Sequence, residues 1–297
     1  MKAILRSMIA SAIVATTIVA IGLLHYENGL GNTAAALRQS AVAVALQPIP
    51  QHIFDNLQDV SVLIETSNGR GTGVLVTRRL GNDLHTYVWT AGHVVKDEMK
   101  PDGTFPEIGI CQEQRAGGLL VNTRRVPAKV ICYSDPENGD DLALLEIATP
   151  NWTTVSAVFA GTTVLPIGTP LIHVGCTLGL YDSTSLGIIS QTDRLLPGVS
   201  KAFDQTSCMS YPGSSGGGIY TCDGRYIGML VRGAGPGLNM IVPMRRIHAW
   251  AAKMGVLWAI DPSVPVPVTV VRLPVRLSDT PPDPKESVQP MPRGSLK

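Results

Sequence analysis

The chain has 297 residues, enough for one large or two modest domains with a buried core. Its 24 basic and 23 acidic side chains nearly cancel, and no block of Lys and Arg is longer than a pair. This balance excludes the strongly basic surface that is typical of nucleic-acid-binding proteins, so we expect no nucleic-acid partner.

The N-terminus combines positive charge with a hydrophobic segment. Lys2 and Arg6 precede an uncharged run, Met8–Leu24, that is slightly shorter than the roughly 20 residues of a membrane-spanning helix. A positive flank followed by an apolar run is typical of a secretory signal. We therefore expect residues 1–26 to form a hydrophobic helix that is either a signal anchor or a cleaved signal peptide. The rest of the chain would then be exported. It would face the periplasm or exterior from a membrane anchor, or be secreted after cleavage.

The central part of the sequence has the pattern of β-structure. From Val60 to Val242, short runs of branched and aromatic residues alternate with turns rich in Gly, Asn, Asp and Pro. This spacing predicts an all-β sandwich or barrel, and no long amphipathic helix interrupts it. The pattern predicts nine strands: residues 60–65, 73–77, 86–90, 126–133, 142–147, 170–174, 185–190, 218–221 and 226–231.

Both flanks of the β region differ from it in composition. Residues 27–56 are expected to be a linker, which places the start of the folded domain at residue 57. In residues 244–254 apolar positions recur at helical spacing, and Gly255 follows as a stop signal, which predicts a C-terminal helix. Prolines cluster beyond Trp258. The predicted domain therefore covers residues 57–258, and residues 259–297 are expected to form a Pro-rich, disordered tail.

Five cysteines are compatible with an exported chain, where disulfides can form, but an odd number leaves at least one thiol unpaired. A Cys208–Cys222 bridge and a Cys111–Cys132 bridge are two pairings that the spacing allows. Five buried free thiols, which would include Cys176, are the third interpretation. No Cys and His spacing suggests zinc, so we expect neither a metal nor a cofactor.

Three motifs that suit nucleophilic catalysis occur in the order His, Asp, Ser. His93 lies in the motif WTAGHVV, Asp141 in GDDLALL and Ser215 in YPGSSGGG. A serine hydroxyl needs a neighbouring base to become a nucleophile, and a histidine base needs a carboxylate to orient its ring. Taken separately, each motif has a simpler explanation: a buried histidine, a strand cap and a flexible loop.

Together, the motifs TAGHVV, DLALL and GSSGG resemble those of the trypsin/chymotrypsin-fold serine peptidases, and of their bacterial HtrA/Deg-type branch in particular. The strand Gly71–Val76, the stretch Pro166–Pro170 and the later segments Gly187–Ser190, Ile227–Leu230 and Ile241–Pro243 are also similar. The resemblance covers roughly residues 57 to 256. It implies an all-β fold of two six-stranded antiparallel barrels followed by the C-terminal helix.

The resemblance also assigns roles to residues. It implies that Ser215 is the nucleophile, His93 the general base and Asp141 the orienting carboxylate. Backbone N–H groups of Gly213 and Ser215 would form the oxyanion hole. Asp140 is adjacent to Asp141, but neighbouring side chains in a strand point to opposite faces, so only one of the two can serve. The implied reaction is hydrolysis of a polypeptide through an acyl-enzyme, without metal or cofactor.

The resemblance places the base of the primary substrate pocket about six residues before the serine, at Met209 with Ser210 beside it. The absence of an Asp there disfavours Lys or Arg before the scissile bond, and a small-to-medium apolar side chain is expected instead. We expect no PDZ domain after the barrels, because the tail is short and rich in proline. Between the histidine and the aspartate, the segment Lys96–Gly118 looks like an insertion, and we expect a surface loop there.

Three alternatives remain open from the sequence. The segment Gly213–Gly217 also fits the G-x-S-x-G elbow of α/β hydrolases, which needs its acid and histidine after the serine. Only Asp223 and His248 follow in that order, and the β-only pattern argues against this fold. A catalytically silent double barrel that binds peptides or partners is the second alternative. The third is a membrane-tethered scaffold whose Pro-rich tail recruits partners. The oligomeric state is not defined by the sequence.

Overall fold

The computed structural model describes residues 48–197, 199–233, 235, 237–267 and 276–277. The N-terminal hydrophobic segment, most of the linker and most of the Pro-rich tail lie outside the described residues, so their assignments stay predictions. Residues 51–56 of the expected linker belong to a helix, α1 (Gln51–Asp59), which precedes the first strand. No helix within the described part of the chain is long and apolar enough to cross a membrane.

The first barrel is a closed antiparallel sheet of six strands. Their spatial order is β5-β4-β1-β2-β3-β6, and pairing of β5 with β6 closes the barrel. A short strand from the C-terminal part of the chain, β14, lies parallel to β5. The bounds are β1 (Ser61–Glu65), β2 (Arg70–Leu80), β3 (Asp83–Thr90), β4 (Ile108–Ala116), β5 (Leu119–Tyr133), β6 (Ala143–Ile147) and β14 (Arg276–Leu277).

The second barrel repeats this architecture with the order β11-β8-β9-β10-β13-β12, closed by pairing of β11 with β12. A two-residue strand, β7, adds to β12 in parallel. The bounds are β7 (Val158–Phe159), β8 (Pro170–Gly175), β9 (Ser183–Arg194), β10 (Phe203–Thr206), β11 (Gly218–Thr221), β12 (Arg225–Gly233) and β13 (Asn239–Pro243). The prediction of two six-stranded antiparallel barrels is confirmed.

The C-terminal helix is confirmed as α3 (Met244–Lys253). Its apolar positions, among them Ile247 and Trp250, are buried, as the helical spacing predicted. Trp250 packs edge-on against Trp89 of β3, with ring centroids 5.7 Å apart. Aromatic pairs at this distance add stabilisation beyond the area that they bury. The helix follows directly on β13 and so fixes the second barrel against the first.

The prediction of a surface loop at residues 96–118 is wrong in part. Only its first half is irregular, with a 3₁₀ turn at Lys96–Glu98, whereas Ile108–Ala116 form β4. Ile108, Ile110 and Cys111 of that strand are buried. Because β4 joins β1 to β5, the first barrel cannot close without it. The sequence signal was weak because Gln, Glu and Arg occupy the exposed end of the strand.

None of the five cysteines forms a disulfide, and four of them are buried, so neither pairing considered from the sequence is formed. Cys132 faces Leu144 of β6, and Cys111 faces Arg125 of β5, in the strand register. Cys111, Cys132, Cys176 and Cys208 thus belong to the buried core, whereas Cys222 is partly exposed. Burial raises the pKa of Cys176 to about 12, which keeps that thiol protonated.

Candidate active site

His93 and Asp141 are brought together by two short segments of the first barrel. Strand β3 ends at Thr90, and the chain turns at once into a short helix, α2 (Gly92–Val95), that carries the histidine. Asp141 lies two residues before the start of β6 and is 2% exposed. Each of its two carboxylate oxygens lies 3.0 Å from His93 Nδ1. The Oδ1 atom also accepts the backbone N–H of His93 at 2.9 Å. The imidazole is therefore held in one orientation, with Nε2 left for other partners.

Gly92 permits this close approach. A β-carbon at Gly92 would lie 2.3 Å from the carbonyl oxygen of Ser134, and real contacts are never that short. Asp141 also has a left-handed backbone, with φ 57°, which turns its side chain towards the histidine. Such a conformation is uncommon outside glycine and more accessible to Asp than to most residues. Local backbone geometry on both sides thus brings the pair together.

Asp140 has a different set of partners from Asp141. Its carboxylate lies 2.6 Å from Lys201 Nζ and 3.2 Å from Arg246 Nη2, and its side chain is largely buried. Both cations come from the second barrel and its helix. Only one of the two aspartates therefore contacts His93. The reason is the left-handed turn at Asp141 rather than strand alternation, because β6 begins only at Ala143.

The loop that carries Ser215, Tyr211–Gly217, is called the serine loop, and it starts with a tight turn over Tyr211–Ser214. The N–H of Ser214 donates to the carbonyl of Tyr211 at 3.0 Å, and Gly213 has φ +94°. Proline second and glycine third in such a turn is the sequence preference of a type II turn. A β-carbon at Gly213 would lie 2.5 Å from the carbonyl oxygen of Cys176, so a larger residue does not fit.

The orientation of the Pro212–Gly213 peptide follows from one hydrogen bond. The carbonyl of Pro212 accepts the N–H of Leu178 at 2.7 Å. In a trans peptide the N–H points opposite to the carbonyl, so the N–H of Gly213 points away from Leu178. Within the described part of the chain, the N–H groups of Gly213 and Ser215 have no acceptor. Both are thus available to an external oxygen.

Leu178 was not singled out from the sequence. It lies in the 3₁₀ turn Thr177–Gly179 with φ +56°, a strained conformation for leucine, and its side chain is 65% exposed. Strain of this kind persists only where the surroundings enforce it. Here the strained residue directs its N–H at Pro212, which fixes the peptide that precedes Gly213.

The two serines of the loop have different surroundings. Ser214 is fully buried, and its Oγ lies 3.1 Å from Thr177 Oγ1 and accepts the N–H of Tyr211 at 3.2 Å. Ser215 is partly exposed, and its carbonyl accepts the N–H of Thr72 at 2.7 Å. Of the two hydroxyls, that of Ser215 is therefore the one open to a substrate.

The serine loop lies directly against Ala91–His93, the turn that carries the histidine. A β-carbon added to Gly216 would come within 3.1 Å of the backbone nitrogen of Ala91, two residues before His93. Among the described residues, no hydrogen bond joins Ser215 Oγ to the imidazole of His93. Such bonds are often long without substrate and shorten in the reacting complex. The structure thus brings Asp141 onto His93 and the serine loop beside it, and the catalytic roles stay predictions.

Thr72 is the main link between the serine loop and the first barrel, and the sequence did not assign it a role. Its N–H binds Ser215 O, and its Oγ1 donates to Gly213 O at 2.7 Å and accepts the N–H of Cys176 at 2.8 Å. Its carbonyl accepts Thr90 Oγ1 at 2.7 Å. The sequence signal for this role was weak: a threonine between two glycines, Gly71 and Gly73.

The predicted pocket residues lie close to the serine loop but differ in exposure. Met209 is 54% exposed, more than the base of an enclosed pocket would be. Ser210 is partly buried, and its Oγ lies near Gly233 at the end of β12. Their assignment as pocket residues stays a prediction.

His173 is a buried titratable group beneath the loop. It lies on β8, and its Nε2 has no hydrogen-bond partner within the described part of the chain. A β-carbon at Gly217 would come within 2.8 Å of that nitrogen. Burial lowers the pKa of His173 to about 4, so the ring is neutral at pH 7. No group of three or more His, Cys, Asp or Glu side chains that could hold a metal ion occurs among the described residues.

Two closed six-stranded barrels, with the histidine and aspartate on the first and the glycine-rich serine loop on the second, define the chymotrypsin-like double-barrel class. The family model described as "Trypsin-like peptidase domain" matches residues 71–229, more than half of the sequence. The chain belongs to this family.

Individual relatives carry HtrA- or DegP-type names. The chain is 30% identical over 164 residues to a "Probable periplasmic serine endoprotease DegP-like" of Pseudomonas fulva, which covers 53% of this chain and 30% of the relative. It is also 30% identical over 171 residues to a "Serine protease Do-like HtrA" of Lactococcus lactis subsp. cremoris, covering 54% and 37%. The chain thus spans about a third of the length of these relatives.

Solved structures support the fold. The crystal structure of Deg5 superimposes with a TM-score of 0.55 at 20% identity, covering 71% of this chain and 95% of that chain. A serine endoprotease from Yersinia pestis gives a TM-score of 0.53 at 19% identity, covering 70% and 66%. At 19–20% identity the likeness establishes the double-barrel architecture alone. The chemistry has to be argued from the residues of the site.

Proposed function

We propose that this protein is a serine endopeptidase that hydrolyses polypeptides through Ser215, His93 and Asp141. The observation that carries the proposal is the pair of contacts from Asp141 to His93, the ring Nδ1 and the backbone N–H, beside a loop with two free N–H groups. A base oriented by a carboxylate and a preformed oxyanion site are the parts that acyl transfer needs.

In the proposed first step, Ser215 Oγ attacks the carbonyl carbon of the scissile peptide bond. His93 Nε2 takes the hydroxyl proton, and the buried carboxylate of Asp141 stabilises the imidazolium that forms. The carbonyl oxygen becomes an oxyanion and accepts the N–H groups of Gly213 and Ser215. His93 then returns the proton to the leaving amine, the C–N bond breaks, and an acyl-enzyme remains on Ser215.

In the second step, water replaces the amine. His93 removes a proton from the water as the water oxygen attacks the ester carbon, and the same two N–H groups bind the second oxyanion. Collapse of this intermediate releases the carboxylic acid, and His93 returns the proton to Ser215 Oγ. The reaction consumes one water per peptide bond and needs no redox partner.

Labelling with a fluorophosphonate probe tests the proposal, because the probe reacts only with an activated serine. We expect the wild type to be labelled and to cleave unfolded casein, and the variants Ser215→Ala and His93→Ala to lose both activities. Circular dichroism controls for folding. A folded wild type that neither reacts with the probe nor cleaves casein would overturn the proposal in favour of a catalytically silent, peptide-binding barrel.

We also propose that the peptidase domain is exported and tethered to a membrane by residues 1–26. The positive flank and apolar run of that segment support export, as does the word "periplasmic" in the name of one relative. The test is fractionation of cells that express the full chain. A band of full-length mass in the membrane fraction supports the tether, and a shorter soluble band would show cleavage instead.

A further inference from the structure

The hairpin that joins β4 to β5 extends beyond the first barrel. Strand β1 pairs with β4 at residues 109–111, and β6 pairs with β5 at residues 128–133. Among the described strands, residues 112–124 pair only with each other. A ribbon of two strands has little stability of its own in water. The side chains at its far end are therefore not explained by the closure of the barrel.

The tip of this hairpin, residues 116–121, is apolar and exposed. Leu119, Leu120 and Val121 are 73%, 51% and 62% exposed. Gly117 and Gly118 form the turn with positive φ, and a β-carbon at either would meet no atom within 4 Å. Single exposed apolar side chains are normal, but three in a row on a protruding turn indicate a contact with something outside the chain.

The apolar side chains of the tip lie on both faces of the ribbon. Leu119 and Leu120 pair with Ala116 and Arg115 in regular register, so the two leucine side chains point to opposite faces. A flat protein surface would cover one face of the ribbon and leave the other in water. An apolar phase that surrounds the tip covers both faces, and the outer hydrocarbon region of a lipid bilayer is such a phase.

The stem of the hairpin carries positive charge. Residues 114–134 contain no acidic residue and four cations: Arg115, Arg124, Arg125 and Lys129. Arg115 is compensated, because its guanidinium pairs with Glu113 and lies 3.7 Å from Asp182. The other three cations are further from the tip, and clusters of this kind are attracted to anionic lipid headgroups.

These three cations are accessible to an anion to different degrees. Lys129 is exposed on the outer side of β5. The side chain of Arg125 is 69% exposed, although it lies 3.0 Å from Glu65. The guanidinium of Arg124 lies 4.8 Å above the ring of Trp152, which leaves its charge uncompensated. The hairpin thus combines an uncharged apolar tip with a basic stem.

We propose that residues 116–121 insert into the surface of a lipid bilayer that contains anionic lipids, with Arg124, Arg125 and Lys129 facing the headgroups. An apolar element of this kind enters the bilayer by about 5–10 Å. Leu120 and Arg125 are five residues apart, about 15 Å along a strand, so the arginine then lies within about a Debye length of the headgroups. The inference does not rest on the proposed endopeptidase function, and the contact is separate from the tether proposed for residues 1–26.

The test places an environment-sensitive fluorophore, nitrobenzoxadiazole, on the tip of the full chain. Leu120→Cys is labelled in a Cys222→Ser background, because Cys222 is partly exposed. The matched control carries the dye at Val164→Cys, which is 51% exposed between β7 and β8 and reports any contact that the tether alone causes. The probe membranes are vesicles of phosphatidylcholine with phosphatidylglycerol. We expect the dye at residue 120 to brighten at least about twofold, and the dye at residue 164 to stay unchanged.

Depth and charge are tested with the same labelled chain. Lipids with doxyl groups on their acyl chains should quench the dye at residue 120, because they contact it only inside the bilayer. Adding Leu119→Asn and Val121→Asn should abolish this quenching, and adding Arg124→Gln and Lys129→Gln should reduce it. Vesicles of phosphatidylcholine alone should also give weaker quenching. All four positions lie on the hairpin, and circular dichroism verifies folding.

Two results would overturn the inference. A dye at residue 120 that is not quenched, on a chain that sediments with the vesicles, would show that the tip stays in water. Brightening that needs no lipid and grows with protein concentration would show that the tip packs against a second copy of the chain. The proposed endopeptidase is judged separately by fluorophosphonate labelling, since quenching at the tip does not depend on an activated serine.

Discussion

The two halves of the candidate site are built in different ways. The histidine half, Ala91–His93 with Asp141, is fixed mainly by side-chain contacts, in which one buried carboxylate binds both the ring and the backbone of His93. The serine half, Tyr211–Gly217, is fixed by backbone geometry, with glycines at φ +94° and +87° and carbonyls held by Leu178 and Thr72. Only the second half depends on contacts that cross between the barrels.

This difference determines which substitutions should matter. In the histidine half, a single carboxylate orients the histidine, so an isosteric substitution that removes its charge should cause a severe loss of activity. In the serine half, the donors are peptide N–H groups, which no side-chain substitution removes. There the arrangement should fail when the backbone is displaced, or when a residue that anchors it loses its hydroxyl.

The largest effect is expected from Asp141→Asn. The amide preserves the shape but cannot stabilise the imidazolium, so kcat/KM should fall by about 10³- to 10⁴-fold. The matched control is Asp140→Asn, the adjacent residue, which binds Lys201 and Arg246 instead. That variant should keep kcat/KM within about threefold while losing about 2 kcal/mol of stability, measured by urea unfolding. Equal activity losses in the two variants would contradict the separation of their roles.

Gly216→Ala tests whether backbone geometry carries the serine half. Its β-carbon would lie 2.1 Å from Thr72 O and 2.3 Å from Thr90 Oγ1, so the loop must move. A displacement of about 1 Å can cost about 100-fold in rate, and we expect at least that loss in kcat/KM. Gly168→Ala is the control, because Gly168 has φ +88° with nothing within 4 Å of its β-carbon. It should cost about 1 kcal/mol of stability and leave kcat/KM unchanged.

Thr72→Val tests the anchor between the barrels. Valine has the shape of threonine but leaves Gly213 O and the N–H of Cys176 unpaired. We expect kcat/KM to fall by about tenfold and stability by about 1–2 kcal/mol, whereas Thr72→Ser should recover most of both. The decisive comparison is kcat of the two variants on one peptide. Valine and serine variants with the same kcat would show that the hydroxyl does not hold the serine half.

The last prediction concerns His173 and the stability of the fold as a function of pH. The pKa of His173 is about 4 in the folded protein and about 6.5 in an unfolded chain. The unfolded chain therefore takes up the proton first. The free energy of unfolding should fall as the pH drops from 6.5 to 4, by up to about 3 kcal/mol, and no further below that range. Urea midpoints of wild type and His173→Leu across these pH values check this, since the variant should lose that slope. Parallel pH profiles would show that the buried ring contributes nothing.

How far the sequence predicted the site depended on how local each contact is. His93 and Ser215 lie in motifs whose small residues are needed by the turns themselves, so short segments of sequence pointed to them. The choice of Asp141 over Asp140 also agrees with the geometry. Thr72 and Leu178 were missed because they contact residues far away in the sequence, Gly213 and Pro212, and no local pattern records such contacts.

The fold was predictable to a similar degree. Alternating branched residues predicted most strands, but β4, β10 and the two-residue strands β7 and β14 were not recognised, and β13 was indicated only by the family resemblance. Strand β10 has only four residues, Phe203–Thr206, and three of its side chains are polar and buried. One of them, Asp204, forms an ion pair with Arg245. Barrel closure, rather than local sequence pattern, explains why β4 and β10 are strands.

The central claim is that Ser215, and not the adjacent Ser214, is the activated nucleophile. Its most direct test is to treat the wild type with a fluorophosphonate, digest it, and locate the adduct by fragmentation mass spectrometry. We expect one adduct, on Ser215 Oγ, that disappears in Ser215→Ala and persists in Ser214→Ala. An adduct on Ser214, or a folded protein that carries none, would contradict the account.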